Sequence, residues 1–310
     1  MAIMTLAEAK KYVQDELIEG VVEDIISINP IYSIFPFTGY DGHGIIANRE
    51  TTLADVDMYD VNATITARNV SAVTQVPFSA VKIIGDADID SLIQAQSKSG
   101  GVDLIAQEIS SKAKSIGRRF QQGMVIDNGT APNMNSFHTL IDATQTIGEA
   151  TGQAISFEAL DQLIDLVTAK DGQVDFILMA PRTFRSYKSL LRALGGTPAE
   201  WVVTLPDGRS TIGYEDIPIF KNPFIPVTET AQAAALTGGA LTSVWAGCFD
   251  DGSLKTGITA IHPSGVPAGI QVEMIGKNID KDSETFRVKQ YTNIALMNRR
   301  ALARLTSIND

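Results

Sequence analysis

GGVDLIAQEISSKAKSIGRRFQQG, residues 100–123, is the stretch from which the rest of the chain is read. After the Gly100–Gly101 break, Val102, Ile105, Ile109, Ala113, Ile116 and Phe120 recur at steps of three and four. Asp103, Gln107, Ser110, Lys114, Arg118 and Gln121 fall on the other side. That spacing gathers the apolar set on one face and predicts an amphipathic helix of about six turns, roughly 33 Å long. Gly123 is expected to stop it. Such a helix is long for a compact domain of this size and suits a flat, elongated one.

Upstream of the helix, Ile45 to Ile84 reads as extended. VNATITA (61–67) and AVTQVPFSAVKII (72–84) alternate apolar and polar residues, and Pro77 marks an edge because it removes a ladder donor. We expect a long hairpin with its tip near Asp57–Asp60 or Arg68–Ser71. Asp86, Asp88 and Asp90 mimic the start of a calcium loop, but Ser91 and Ser97 stand where that loop needs glycine and glutamate. They are read as favourable charges on the first turn of a following helix. Before the hairpin, Thr5 and Glu8 have capping-box spacing, and Val13, Leu17 and Val21 continue a helical stripe. NPIYSIFPFTGYDGHG (29–44) is irregular and aromatic, the mark of an arm whose rings bury on another surface.

Downstream, DNGTAPNMNSF (127–137) is a turn-rich connector. A second helix is predicted from Phe157 to Lys170, capped by Ser156, with Leu160, Leu163, Ile164 and Val167 inward and Gly172 at its end. Val174–Met179 (VDFILM) is a buried strand, and Pro181 opens a third helix that Gly195–Gly196 closes. Short extended stretches follow, and IQVEMIG (270–276) with FRVKQYTNIALMN (286–298) forms a final antiparallel pair. Helices and strands in this order predict an α+β fold.

Composition bounds function. The net charge of −11 disfavours a general nucleic-acid binder, which needs a basic surface to displace counterions. No run of about 18 apolar residues exists to span a membrane, and the polar N-terminus lacks the apolar core of a signal peptide. The sequons at Asn62, Asn69 and Asn128 are then coincidental. Cys248 has no partner for a disulfide and reads as a small buried hydrophobe, while His43, His138 and His262 are too scattered for a zinc site. Gly42, Gly44 and Ala47 match a loose dinucleotide fingerprint without its strand and helix. No nucleophile elbow, zinc-protease or phosphate-loop motif occurs, so no catalytic, cofactor or metal residue is assigned. Arg182, Arg185, Lys188 and Arg192 form a basic stripe on the third helix, open to readings as a solvated face, intersubunit ion pairing or nucleic-acid contact.

The order of these pieces resembles the HK97-type major capsid proteins of tailed bacteriophages. Asp127–Leu140 resembles that family's turn after the long helix, and Asp175–Gly196 its strand running into a prolyl-arginine helix. Gly213–Pro226, Ser243–Gly252 and Phe286–Leu305 are similar to later strands, a turn and the tail. The resemblance implies an HK97-like capsid fold. Residues 1–44 would be an N-terminal arm, 45–85 an E-loop hairpin, and 86–140 a P-domain with its spine helix at about 101–123. Residues 141–265 would be an α/β A-domain and 266–310 the P-domain return strands.

It further implies a structural subunit that self-assembles into pentamers and hexamers of an icosahedral head around double-stranded DNA. Such a subunit would assemble in the host cytoplasm and reside in the virion capsid. It would meet a separate scaffolding protein, unless the chain is already trimmed, together with a portal and a decoration protein, and would not bind its DNA tightly. Phe35, Phe37, Tyr40, Arg49, Glu50, Asp57, Asp60, Arg68, Arg182 and Arg185 are the expected intersubunit contacts, with Asp55 among the hairpin charges. Some members cross-link an E-loop lysine to a neighbour's asparagine. This chain has no lysine between Lys11 and Lys82, so no such mesh is expected. Encapsulin compartments share the fold and are the nearest alternative. A cytoplasmic α+β enzyme with a carboxylate site is the alternative from another class.

Overall fold

Each strand and helix follows from where its apolar residues fall, and the aromatics that open the described chain show this first. The computed structural model describes residues 31–99, 104–168, 172–195, 202–205, 208 and 210–310. The helix expected around residues 5–20 lies outside them. Ile31–Ile34 forms one helical turn (α1) and Phe37–Tyr40 a strand (β1). Phe35 and Tyr40 are buried and Phe37 half-buried in the chain's own core. The Phe35 and Phe37 rings each lie 6.0 Å from Phe120 of the long helix, and Tyr32 lies 5.3 Å away. This corrects the expectation that Phe35, Phe37 and Tyr40 reach a neighbour. Phe35 and Phe37 bury against the long helix of the same chain, and Tyr40 against Phe78, Ile261 and Met297.

Ile45–Thr52 (β2) and Ala72–Phe78 (β3) pair antiparallel as a two-stranded ribbon, Ile45 opposite Phe78. Pro77 is tolerated because both strands of such a ribbon are edges. The chain breaks at Ser79–Ala80, and Val81–Asp90 (β4) joins a different sheet. Asp86, Asp88 and Asp90 therefore lie on an exposed strand face, not a helical turn. Arg287 clamps Asp86 with two bonds of 2.8 Å, Thr285 donates to Asp88, and only Asp90 serves the helix Ser91–Ser99 (α2), accepting from the Leu92 amide at 2.8 Å.

Leu104–Ile126 (α3) is the long helix. Its stripe runs as expected, half-buried at Ile105 and Ile109 and fully buried at Ile116 and Phe120. It does not stop at Gly123. A Cβ there would lie 2.4 Å from the Met134 sulfur, so glycine serves close packing inside the helix instead of ending it. The following connector folds back on that contact: Asp127 accepts from the Met134 amide and pairs with Arg119 at 2.9 Å. Phe137–Leu140 (α4) follows, with a reciprocal cap between Ser136 and Thr139.

After Thr146–Ile147 (β5), Phe157–Thr168 (α5) is capped by Ser156 and buries Leu160, Leu163, Ile164 and Val167. Phe176–Met179 (β6) is wholly buried, and Pro181–Ala193 (α6) starts on its proline. Val202–Thr204 (β7), Ser210–Tyr214 (β8), Ile217–Lys221 (β9) and Thr242–Gly247 (β10) complete this part. Ile258–Pro263 (β11), Gln271–Lys277 (β12), Ser283–Leu296 (β13) and Leu302–Ile308 (β14) close the chain.

Two sheets result. The first has the order β1-β11-β13-β12, with β4 also on β13, and α3 packs across β4 and β13. The expected final pair is β12 with β13, Val272 opposite Val288. The second has the order β5-β14-β10-β6-β9-β8-β7. Two placements differ from the sequence reading. β11 belongs to the first sheet, whereas the expected bounds of 141–265 place it with the α/β part. β14 leaves the return strands and inserts between β5 and β10 of the second sheet. All seven residues of β14 are buried, because ALARLTSI lacks large polar side chains apart from Arg304 and fits a sheet centre.

Candidate assembly interface

The ribbon β2–β3 is anchored at its root and free at its far end. Ile45, Ala47 and Val76 pack against Tyr40, Phe78, Ile261 and Met297. Arg49 donates from Nε to the Met297 carbonyl at 3.0 Å and from Nη2 to the Leu296 carbonyl, with its guanidinium 5.7 Å above the Phe78 ring. Gly44 has no room for a side chain, since a Cβ would lie 2.3 Å from the Phe78 carbonyl oxygen. These contacts fix the direction in which the ribbon leaves the body.

Beyond Thr52 the two arms run unpaired as strands to a turn at Asp60–Ala63, where the Ala63 amide donates to the Asp60 carbonyl at 3.1 Å. VNATITA is thus an irregular tip and not the strand its alternation suggests. The tip lies at the first of the two expected places. Short bonds across the loop hold it. The Asp55 amide donates to the Asn69 carbonyl at 3.2 Å, and the Tyr59 hydroxyl accepts from the Thr66 and Ala67 amides at 2.9 and 2.6 Å.

Local bonding holds the backbone, but among the described residues nothing covers the aliphatic side chains. Val56, Met58 and Val61 are 92, 98 and 86% exposed, and Leu53, Ile65 and Val70 are also out. Burying each of these fully is worth about 1.5–3 kcal/mol, so the six together offer on the order of 10 kcal/mol before association costs. Scattered single apolar residues need no explanation, but six exposed on one loop of 18 residues, 53–70, are the mark of a contact surface. A second exposed apolar set, Val272, Met274 and Ile275 of β12, lies on the first sheet.

Of the charged residues expected at contacts, Glu50, Asp57, Asp60 and Arg68 are exposed on the ribbon and tip, and Arg185 is exposed on α6. Arg49 and Arg182 also bond within their own chain. Arg49 is held by its own chain at the ribbon root, and Arg182 donates to the Ala240 carbonyl at 3.0 Å. Both guanidiniums donate to backbone carbonyls of their own chain, Arg49 at the end of β13 and Arg182 just before β10. The sequence reading missed Lys255, Arg299 and Arg300, which join Arg49 and Glu50 around a cavity of about 450 Å³ at the root. No local pattern announces that meeting, since β11, β12 and β13 intervene in the chain between Lys255 and the two arginines.

One buried polar constellation has the appearance of a reactive site. Arg304 of β14 pairs with Glu229 at 3.1 Å, donates from Nε to Ser243 Oγ at 3.0 Å, and stacks 4.6 Å from Trp245. Its Nη1 lies 2.8 Å from His138 Nδ1. Burial raises the Glu229 pKa above the ordinary carboxylate value and lowers that of Arg304, each against its charged form and despite the partner. Burial, then the Arg304 charge, lowers that of His138. Glu229 and Arg304 are sealed from solvent, so a substrate has no route to them. In a second cavity of about 380 Å³, the carboxylates already serve the backbone. Asp175 accepts from the Phe249 amide at 2.7 Å, and Asp250 accepts from the Gly252 and Leu254 amides at 3.0 Å. Cys248 beside them is half-buried, and burial reinforced by Asp175 pushes its thiol up to about 12, far from a reactive thiolate. Among the described residues no group of three or more acidic, histidine or cysteine side chains is placed to hold a metal ion.

A rooted hairpin, a long helix laid across one sheet and an α/β layer around a second make up the HK97-like fold of self-assembling shells. The solved structures that share it span nearly the whole chain. The holo-SrpI encapsulin complex from Synechococcus elongatus PCC 7942 matches with a TM-score of 0.71 at 16% identity, covering 99% of this chain and 96% of that one. The capsid of a native GTA particle matches at 0.65 and 12% identity, covering 99% of both. A chain of Mycobacterium phage Bobi matches at 0.64 and 14% identity, covering 98% of both. Comparison with protein-family models and with curated proteins finds no match.

Proposed function

We propose that this chain is a structural subunit that assembles with copies of itself into a closed shell, as pentamers and hexamers of an icosahedral phage-type head around double-stranded DNA. The observation that carries this reading is the hairpin tip, whose aliphatic side chains stand exposed among the described residues. The shell architecture of the encapsulin and the GTA capsid supports it. Neighbouring copies supply the missing cover, at a scale of about 1,600 Å² per contact. The subunit acts by packing and not by catalysis. A net charge of −11 suits a container whose contents must enter and leave without sticking. Scaffolding, portal and decoration proteins are the partners such a head would recruit.

Light scattering and negative-stain microscopy of the purified protein test the reading. Rings of five or six, or closed shells, are expected. A monomer at tens of micromolar (a range in which ordinary interfaces form) would overturn it. A cellular compartment is the second reading, favoured by the TM-score of 0.71 with the encapsulin against 0.65 with the GTA capsid. Particles isolated from the native source separate the two: packaged nuclease-resistant DNA supports the head, and a protein cargo supports the compartment.

A further inference from the structure

We infer that the cation-lined cavity at the root of the hairpin receives the acidic tip of the hairpin of a second copy of this chain. The inference rests on the shell-subunit reading and names the contact that would build it.

The cavity, about 450 Å³, is lined by Arg49, Lys255, Arg299 and Arg300, with Glu50 the single carboxylate of its lining. Among the described residues one carboxylate besides Glu50, Asp142, faces these four cations. Arg49 donates to two carbonyls, and Arg300 reaches only the neutral Thr144 and Gln145 at 3.4 and 3.3 Å. Asp142 pairs with Arg299 at 3.2 Å, and this one carboxylate is also the one whose charge reaches Arg49 and Arg300. The cations also feel one another: the pKa of Arg49 is lowered first by burial and then by the charge of Arg299. An anionic group entering here meets an excess of positive charge in a partly enclosed space, where Coulomb attraction is stronger than on open surface.

The tip has the opposite character. From Glu50 to Ala67 the chain carries four carboxylates and no lysine or arginine. Asp57 and Asp60 each accept from the following amide, at 2.8 and 2.7 Å, and both remain exposed. Between them stands Met58, 98% exposed, while Leu53 and Met297 give the cavity an apolar wall. The tip does not fold back on its own root. Among the described residues no ion pair joins the two, and the eight residues from Leu53 to Asp60 span up to about 26 Å when extended. Complementary patches that cannot meet within one chain meet between chains. Because tip and cavity are different surfaces, the contact is heterologous and runs head to tail, the geometry that closes into rings.

Charge reversal tests this directly. Asp57→Lys/Asp60→Lys places cations on the tip, and Lys255→Glu/Arg300→Glu places carboxylates in the cavity. Each variant alone should need at least about tenfold more protein than wild type to form rings. Mixed in equal amounts, the two sets should assemble, since each reversed tip now fits the other's reversed cavity. Alternation closes only even rings, so microscopy should show sixfold and not fivefold rings. Asp57→Asn/Asp60→Asn should raise the threshold without reversing charge, and it touches no contact of the folded body. Variants that assemble like wild type, or a mixture that stays dispersed while each partner melts cooperatively, would overturn the inference. Failure of wild-type protein to assemble would instead remove the shell reading beneath it.

Discussion

Replacing Glu229 by leucine would leave Arg304 charged and buried with its counter-charge gone. The structure fixes the size of the effect. Arg304 and Glu229 lie 3.1 Å apart and are 3 and 1% exposed, so neither can turn to water. Burial shifts both pKa values toward the neutral form, so their attraction does not offset desolvation and the pair adds little net stability. Breaking it is different: an unpaired buried charge costs about 3–5 kcal/mol. For a chain of this size that lowers the melting temperature by on the order of 10 °C. The double variant Glu229→Leu/Arg304→Met removes both charges. It leaves the Ser243 hydroxyl and His138 Nδ1 short of partners, a cost of about 1–3 kcal/mol for each such group. The double variant should therefore be no less stable than Glu229→Leu alone. Thermal unfolding of dissociated subunits is the assay, because assembly would add stability by mass action. A double variant that loses the sum of the two single losses would refute the reasoning, as would a neutral Glu229→Leu.

Gly123→Ala should destabilise the subunit by about 1–3 kcal/mol, because its Cβ would fall 2.4 Å from the Met134 sulfur. Adding Met134→Ala should recover part of that loss in urea unfolding, and an unchanged midpoint for Gly123→Ala would count against the packing role. The pKa of His138 is held below its ordinary value of 6.5 when folded, so the unfolded chain binds more protons between the two values. Stability should fall as pH drops from about 6.5 through the lowered native value, and His138→Phe should flatten that part of the melting-temperature profile; parallel profiles would sink the assignment. Finally, assembled particles boiled in denaturant should run as a single subunit band, since residues 45–80 contain no lysine. A ladder of high-mass species would contradict it.

The reading of the sequence stands where structure is local or periodic. The stripe ending at Ile116 and Phe120, the Ser156 cap, the buried Phe176–Met179 strand and the proline start of α6 depend on neighbours within a few residues. Intrinsic geometry places such side chains whatever lies elsewhere. Composition and pattern also gave the α+β class, and the order of elements gave the resemblance to shell proteins.

Only the tertiary structure could decide contacts between distant segments. Phe35, Phe37 and Tyr40 bury against Phe120 and β11, not a neighbour, because β1 pairs parallel with a strand near the other end of the chain. Gly123 reads as a helix stop until Met134 is seen against it. Ala303 and Leu305 look like a loose tail until β10 and β5 close around them. The root cavity is the clearest case. Arg49, Lys255 and Arg299 come together through β2, the turn before β11 and the turn after β13. Each residue obeys its local surroundings, and only the pairing of strands far apart in sequence brings the three charges to one place.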